Sequence, residues 1–263
     1  MDKKIKALFF DIDGTLVSFE THKIPQSTVD ALELAKKKGV EVYISTGRPP
    51  MIINNLCQIE HLIDGYVTTN GARCFVGDKV VSQLAILPSD VHKIIDAADR
   101  DNYPAIVVGE HHLAIHRYTD EVYEIFAKGL GVDCNIFLTD VKSLGDEAVL
   151  QVTPFCTEEQ ETLLMPTLQS CTSGRWHSAF TDITAAGADK GRGLHAMADY
   201  LGLNISETMA FGDGGNDITI IQEAGVGVAM GNAGDNLKAV ADYVTTSVDE
   251  DGVKNALLRF GVI

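Results

Sequence analysis

The stretch FFDIDGTLVS, from Phe9 to Ser18, places two acids, Asp11 and Asp13, directly after an apolar run. The apolar residues from Ile5 to Phe10 predict a short buried strand of the kind found in parallel sheets. Two carboxylates at the end of a buried strand are costly unless a cation or protons neutralise them. This stretch therefore predicts a strand end that handles charge, and it raises the question of what the two acids hold or attack.

Strands and helices alternate outward from this first strand, which favours a doubly wound, Rossmann-like parallel sheet in an α/β fold. The alternation is present near the N-terminus and returns near the C-terminus. We expect strands at Ile5–Phe10, Val40–Ser45, Gly65–Gly71, Thr208–Gly212 and Val226–Met230, a hairpin over Ala72–Val81, and helices at Pro25–Lys38, Pro49–Ile59, Lys190–Leu201, Asp217–Ala224 and Val253–Phe260.

The middle of the chain mixes helices and strands and predicts an inserted α+β domain of about 100 residues. The expected organisation is a core domain formed by residues 1–82 and 187–263, with the inserted domain at 83–186. The elements that we expect in the inserted domain are helices at Pro88–Arg100, Asp120–Leu130 and Thr157–Leu168, and strands at Ala105–Val108, Leu113–His116, Ala148–Pro154, Arg175–His177 and Phe180–Thr184.

Composition excludes several classes of function. The net charge of -16 disfavours a nucleic-acid partner, because phosphate backbones are bound by clustered Lys and Arg. No apolar stretch reaches 18 residues, so we expect no membrane span. The five cysteines are widely spaced and form no CxxC pair, which is typical of reduced thiols in a cytoplasmic protein.

Other predicted strand ends also carry polar residues, and in a doubly wound sheet ligands bind at the carboxyl ends of the strands. The sequence STGR (Ser45–Arg48) ends one strand, and GDGGND (Gly212–Asp217) ends another. Four acids would converge if these strands are neighbours, and hard oxygen ligands of this kind suit Mg²⁺. The four acids are Asp11, Asp13, Asp213 and Asp217.

The residues around these acids favour phosphoryl transfer. Lys190 and the Thr46 hydroxyl can hydrogen-bond phosphoryl oxygens, and Gly14 and Gly47 allow backbone N–H groups to approach an anion. An aspartate can act as the nucleophile and form an aspartyl-phosphate, which splits one difficult step into two. We therefore expect one acid of the Asp-x-Asp pair to attack phosphorus and the other to manage protons.

With these motifs the chain resembles the haloacid dehalogenase-like hydrolase superfamily, and within it the Cof-type sugar-phosphate phosphatases with a large α/β cap. The resemblance implies that the inserted domain at 83–186 is this cap domain. DIDGTLV, STGR, Lys190 and GDGGND match the four motifs of that family in order. The resemblance implies these roles: Asp11 as nucleophile and Mg²⁺ ligand, Asp13 as general acid/base and ligand through its backbone carbonyl, Thr46 and Lys190 as phosphoryl holders, Asp213 and Asp217 as metal-site acids, and Gly47, Arg48 and Asn216 as substrate-binding residues.

Two cap residues, Trp176 and His177, are further candidates for substrate binding, although both could instead belong to the core or rim of the cap. The function expected from the resemblance is a Mg²⁺-dependent phosphatase acting on a small phosphorylated metabolite, most simply a hexose phosphate. Two alternatives stay open: a phosphomutase and a phospho-aspartate signalling module. We expect a monomer or a homodimer.

Overall fold

The computed structural model describes residues 4–129 and 131–263. Contacts between residues divide the chain into two compact units. The first unit contains the chain up to Arg48 together with Asn55–Gln83 and Asp189–Ile263. The second unit contains Pro49–Asn54 and Leu84–Ala188, so the short segment after Arg48 groups with the second unit and not with the sequence around it.

The elements follow the predicted alternation of strands and helices. In chain order the strands are β1 (Ala7–Phe10), β2 (Glu41–Ser45), β3 (Gly65–Thr68), β4 (Arg73–Val76), β5 (Lys79–Gln83), β6 (Ala105–Val108), β7 (Leu113–His116), β8 (Phe137–Leu138), β9 (Gln151–Pro154), β10 (Cys171–His177), β11 (Phe180–Ala185), β12 (Thr208–Gly212), β13 (Val226–Ala229) and β14 (Tyr243–Val244). The α-helices are α1 (Gln26–Lys37), α2 (Pro88–Asp101), α3 (Asp120–Val122), α4 (Glu158–Leu164), α5 (Lys190–Leu201), α6 (Ile218–Glu223), α7 (Asp235–Lys238) and α8 (Gly252–Arg259).

The sheet of the first unit has, among the described residues, eight strands in the order β14-β13-β12-β1-β2-β3-β4-β5. The strands from β14 to β3 are parallel, and β4 and β5 add an antiparallel hairpin at one edge. The strand β1 lies between β12 and β2, with Phe10 aligned with Phe211 on one side and Ile44 on the other. The α/β fold class is therefore confirmed.

Burial explains why these segments form central strands. All four residues of β1 are buried, as expected for a parallel strand covered on both faces. The rings of Phe9 and Tyr43 stack with centroids 5.0 Å apart, and those of Phe10 and Phe211 stack at 4.6 Å on the opposite face. Each such fully buried side chain contributes about 1.5–3 kcal/mol relative to an exposed one, so the core holds the strand ends in register.

The sheet of the second unit has, among the described residues, six strands in the order β10-β11-β9-β6-β7-β8. Its pairings are antiparallel except for β8, which runs parallel to β7. The apolar faces of α2 and α4 pack on this sheet through Ile94 and Leu164, which contribute to a core with Val107, Val152 and Ile183. The second unit is thus a mixed α and β structure with its own core.

The prediction of a helix at Pro49–Ile59 is wrong. The segment instead has one 3₁₀ turn at Pro50–Ile52 followed by irregular backbone. The Gln58 side chain hydrogen-bonds both the N–H and the C=O of Ile24 at 3.0 Å, and Asn54 donates to the carbonyl of Gly131 at 2.8 Å. These tertiary hydrogen bonds replace the local ones of a helix.

Two other predicted helices differ in detail. The prediction at Asp120–Leu130 becomes α3 followed by a π-helix over Tyr123–Gly129, and Leu130 lies outside the described residues. The prediction at Thr157–Leu168 becomes α4 and a short 3₁₀ turn, because Pro166 lacks the N–H that an α-helix requires. Across the described residues, the helices are all too short or too polar to traverse a lipid bilayer.

Candidate active site

The carboxyl ends of β1, β2 and β12 lie side by side at one edge of the first sheet. Asp11 follows β1, Thr46 follows β2, and Asp213 follows β12. Because the three strands are adjacent and parallel, residues that are far apart in sequence meet there. The Thr15 hydroxyl, for example, donates to Asp213 Oδ1 at 3.0 Å across 198 residues of sequence.

Three acids form a carboxylate cluster at this edge. One carboxylate oxygen from each of Asp11, Asp213 and Asp217 lies within 4.8 Å of the other two. Lys190, the first residue of α5, is fully buried beside them. Its ammonium donates to Asp11 Oδ1 at 2.6 Å and to Asp217 Oδ1 at 2.5 Å, so one cation serves two acids and leaves the third without it.

The electrostatics of the cluster show a shortage of positive charge. Burial raises the pKa of Asp11 to about 8, and the carboxylates of Asp217 and Asp213 add to the rise while Lys190 opposes it. Burial also raises the pKa of Asp213 to about 7, with further repulsion from Asp217. For Lys190 burial lowers the pKa, but Asp11 and Asp217 outweigh that effect, so its pKa lies above the usual range. The ammonium therefore stays charged.

Asp217 also shapes the loop that carries Asp213. Its Oδ2 accepts the backbone N–H groups of Asp213 at 3.0 Å and of Gly214 at 2.9 Å. Asp217 is fully buried, and its other oxygen accepts from Lys190. The side chain thus fixes the loop after β12 and the ammonium of Lys190 in relation to each other.

The Asp213 carboxylate is also confined by Gly14 and by the loop that contains Asn232. Gly14 has a φ of +87°, and a Cβ at this position would overlap the Asp213 carboxylate, so only glycine fits. Asn232 Nδ2 donates to the carbonyl of Gly14 at 2.8 Å, while its Oδ1 accepts the N–H of Val248 at 3.0 Å. The position of the Asp213 carboxylate therefore depends on β1, β12 and the loop after β13.

Asp13 does not belong to the cluster of three acids and pairs with Arg48. The guanidinium of Arg48 donates through Nε to Asp13 Oδ2 at 2.7 Å and through Nη2 to Oδ1 at 2.9 Å. A bidentate pair of this kind is geometrically specific. Arg48, which sequence analysis assigned to substrate, is thus in contact with the expected general acid/base in this structure.

The loop after β2 presents small and polar groups. Thr46 is buried, and its hydroxyl accepts the N–H of Arg48 at 3.1 Å. A Cβ at Gly47 would lie 3.0 Å from Asn70 Oδ1 and 3.4 Å from Asn216 Nδ2, so the two amides crowd this glycine. Asn216 Nδ2 donates to Asn70 Oδ1 at 3.1 Å. The structure therefore brings Thr46, Gly47 and Asn216 together.

The two cap candidates belong to the second unit. His177 ends β10, where its ring stacks on Phe180 at 5.0 Å and its Nδ1 accepts the N–H of Ala179 at 3.1 Å. The side chain of Trp176 lies outside the described part of the structure.

Three residues that contact the site have no role predicted from the sequence. These are Thr15 and Asn232, which reach Asp213, and Asn70, which reaches Asn216. All three follow strand ends, so the rule that directs attention to carboxyl ends of strands was the signal that could have found them.

The donor set suits a divalent cation. Three carboxylates and one ammonium leave a formal excess of two negative charges in the cluster. All the clustered donors are hard oxygen atoms, which Mg²⁺ prefers. The raised pKa values of Asp11 and Asp213 show that Lys190 alone does not offset burial and the repulsion between the carboxylates. These residues therefore fit the magnesium site that the sequence predicts.

Comparisons with known proteins agree with the fold and the motifs. A family model described as haloacid dehalogenase-like hydrolase matches residues 8–257. The 5-amino-6-(5-phospho-D-ribitylamino)uracil phosphatase YcsE of Bacillus subtilis is 30% identical over 257 residues, which cover 97% of this chain and 96% of that protein.

Solved structures extend the likeness to the whole fold. The HAD subclass IIB sugar phosphatase BT4131 has a TM-score of 0.91 at 46% identity, with 98% of this chain and 100% of that chain covered. BT1666 of Bacteroides thetaiotaomicron, a phosphatase of the same superfamily, has a TM-score of 0.88 at 38% identity, with 99% and 97% covered. The chain belongs to the haloacid dehalogenase-like hydrolase family and is a phosphatase of that family.

Proposed function

We propose that the chain is a Mg²⁺-dependent phosphomonoesterase that hydrolyses a small sugar phosphate through an aspartyl-phosphate at Asp11. One observation carries this proposal: the buried Asp11 carboxylate shares the ammonium of Lys190 and lies in a cluster with Asp213 and Asp217. A nucleophile, a fixed cation and a metal-binding set of acids are what phosphoryl transfer to an aspartate requires.

Asp11 is oriented for attack by the hydrogen bond that its carboxylate accepts from Lys190. Lys190 holds Oδ1, and within the described residues no hydrogen bond engages Oδ2. That oxygen attacks phosphorus, the bond from phosphorus to the leaving oxygen breaks, and the phosphoryl group is transferred to Asp11. Mg²⁺ held by Asp11, Asp213 and the carbonyl of Asp13, with Asp217 in support, would neutralise the acids and the phosphoryl oxygens.

Asp13 manages the protons of both steps. In the first step it gives a proton to the leaving oxygen, and in the second it takes one from the water that attacks phosphorus, so that the bond to Asp11 breaks and phosphate leaves. Because both carboxylate oxygens of Asp13 accept from Arg48, at least one of these hydrogen bonds must be exchanged before the carboxylate can act.

The substrate class is supported by similarity. The chain is 46% identical to a sugar phosphatase, whereas it is 30% identical to the phosphatase of a ribitylaminouracil phosphate. We therefore place sugar phosphates first and a ribityl phosphate second. A phosphomutase would transfer the phosphoryl group to a second sugar, and free phosphate as the product distinguishes hydrolysis from that reaction.

Kinetics on purified protein test the proposal. We expect release of inorganic phosphate from hexose phosphates in Mg²⁺, with higher kcat/KM than for the ribityl phosphate, and loss of turnover in the Asp11→Asn variant. The matched control is Asp64→Asn, because Asp64 also accepts from a lysine, Lys36, at 2.6 Å but precedes β3 at the opposite end of the strands. Phosphate release that persists in Asp11→Asn would rule out the aspartyl-phosphate.

A further inference from the structure

A strained turn, Thr69–Gly71, follows β3 in the first unit. Thr69 has a φ of 54° and Asn70 a φ of 51°, so two consecutive residues other than glycine adopt the left-handed conformation. Asn tolerates this region, but a β-branched residue there is a conformational outlier. Such strain persists only where the surrounding structure holds it, and it concentrates at functional sites.

The turn is tied to the loop after β2. The N–H of Thr69 donates to the carbonyl of Arg48 at 3.2 Å, and the N–H of Asn70 donates to the carbonyl of Thr46 at 3.1 Å. These bonds fix the backbone on both sides of Gly47.

The turn also reaches the loop after β12. Asn70 Oδ1 accepts from Asn216 Nδ2 at 3.1 Å. Among the described residues, the Asn216 side chain makes no other hydrogen bond. The Asn70 amide lies against Gly47, at 3.0 Å from where a Cβ would be. One side chain therefore spans the two loops that carry Thr46 and Asn216.

The third contact of the turn is with the start of α5. Gly71 has a φ of +83°, and a Cβ there would collide with the backbone carbonyl of Asp189. Asp189 directly precedes Lys190 and is the N-cap of the helix, since its side chain accepts the N–H of Arg192 at 2.9 Å. The turn thus packs against the N-cap residue from which α5 begins with Lys190.

We propose that the Thr69–Gly71 turn is a positioning element of the active site, in which Asn70 fixes Asn216 and the Thr46 loop in relation to Lys190. The inference rests on the proposed phosphatase function and assigns the turn a part in it. Groups from three separate loops must hold one phosphoryl group, and their mutual geometry matters most in the transition state. Loss of Asn70 should therefore lower kcat more than it raises KM.

The test compares Asn70→Gly with Asn70→Ala. Glycine adopts the left-handed backbone without strain and removes the side-chain amide. Asn70→Gly therefore distinguishes the contribution of the side chain from that of the backbone conformation. We expect kcat to fall about 10- to 100-fold in both variants with KM changed less than about threefold, and Asn70→Gly to keep the melting temperature of the wild type within a few degrees. The matched control is Asn102→Gly, because Asn102 is also left-handed (φ 58°) and its side chain accepts from Arg117.

A double-mutant cycle with Asn216→Ala identifies the route of the effect. If Asn70 acts through Asn216, the combined variant Asn70→Gly/Asn216→Ala should be no slower than the slower single variant by more than about threefold. Wild-type kcat in Asn70→Gly would overturn the positioning role, and fully multiplicative losses in the cycle would overturn the action of Asn70 through Asn216. Either result would leave the phosphatase intact. A wild-type protein that releases no phosphate from any ester would instead overturn the proposed function together with this inference.

Discussion

Both units contain buried carboxylates, and their surroundings have opposite effects on them. In the second unit Asp90 is fully buried, and it accepts the N–H groups of Gln169 at 2.9 Å and Ser170 at 3.1 Å as well as the ammonium of Lys93 at 3.1 Å. Burial raises the pKa of Asp90, but these donors outweigh it, so the pKa lies below its usual range. The Asp90 carboxylate is a structural anchor whose negative charge is compensated by these donors.

In the first unit burial outweighs the hydrogen-bond donors and cations around the carboxylates. Burial raises the pKa values of Asp11 and Asp213 to about 8 and about 7, and the donors around them do not compensate. Burial alone therefore does not distinguish a functional acid from a structural one. The signal is a shortage of donors and cations around the acid, which a bound cation and a phosphoryl group can relieve.

The largest expected effect is that of Lys190→Met. Removing the shared ammonium leaves the buried carboxylates of Asp11 and Asp217 without their paired cation. We therefore expect the free energy of unfolding to fall by about 3–5 kcal/mol and turnover to vanish. Urea denaturation and phosphate release measure the two effects. The control is Lys6→Met, since Lys6 pairs with Glu207 at 2.6 Å but is half exposed and should contribute less than about 1 kcal/mol. Equal losses in the two variants would remove the distinction between them.

Asp90→Asn tests the matched acid. The amide cannot accept through both atoms, so one of the donors around Asp90 loses its partner in a buried position. We expect the free energy of unfolding to fall by about 2 kcal/mol with kcat unchanged. Urea denaturation and steady-state kinetics on the same preparation check both, and an unchanged stability would show that Asp90 is not the anchor described.

Asp213→Asn should change stability in the opposite direction. In metal-free protein the variant removes repulsion with Asp11 and Asp217 and keeps an oxygen for the Thr15 hydroxyl, so we expect a gain on the order of 1 kcal/mol. Turnover should nevertheless fall by about 100-fold or more, because a metal-binding acid is lost. Thermal melting in chelator tests the sign. A destabilisation like that of Asp90→Asn would show that Asp213 is not under electrostatic repulsion in the metal-free protein.

The smallest effect is the pH dependence of the Asp90 contribution. Its folded-state pKa is below the unfolded value of about 3.9, so the stability it adds is present above that pH and is lost as the pH falls through the folded value. The difference in melting temperature between wild type and Asp90→Asn should be constant from neutral pH to about pH 5 and should shrink below about pH 4. A difference that grows on acidification would contradict the sign.

The strand-end chemistry could be predicted because it depends on local pattern. The buried run before Asp11 and the apolar strand before Asp213 identify two strands, and the parallel topology then brings their ends together. The hairpin with Gly77 at its turn was predicted for the same reason, since turn residues between short apolar runs specify it.

The features that could not be predicted depend on tertiary contacts, which a local sequence pattern does not specify. The failed helix at Pro49–Ile59 was decided by hydrogen bonds from Gln58 and Asn54 to distant backbone. The pairing of Asp13 with Arg48 and the contact of Asn70 with Asn216 link residues that are 35 and 146 positions apart. No local propensity encodes such pairs, so motif matching found the loops and missed how they are fixed.

The proposed function depends on the capacity of Asp11, Asp213 and Asp217 to bind a divalent cation. Calorimetric titration of the metal-free protein with Mg²⁺ measures this capacity directly. We predict saturable binding at one site per chain that is abolished in Asp213→Asn and retained in Asp64→Asn. A wild-type protein that shows no saturable Mg²⁺ binding, or an Asp213→Asn variant that binds as the wild type does, would contradict it.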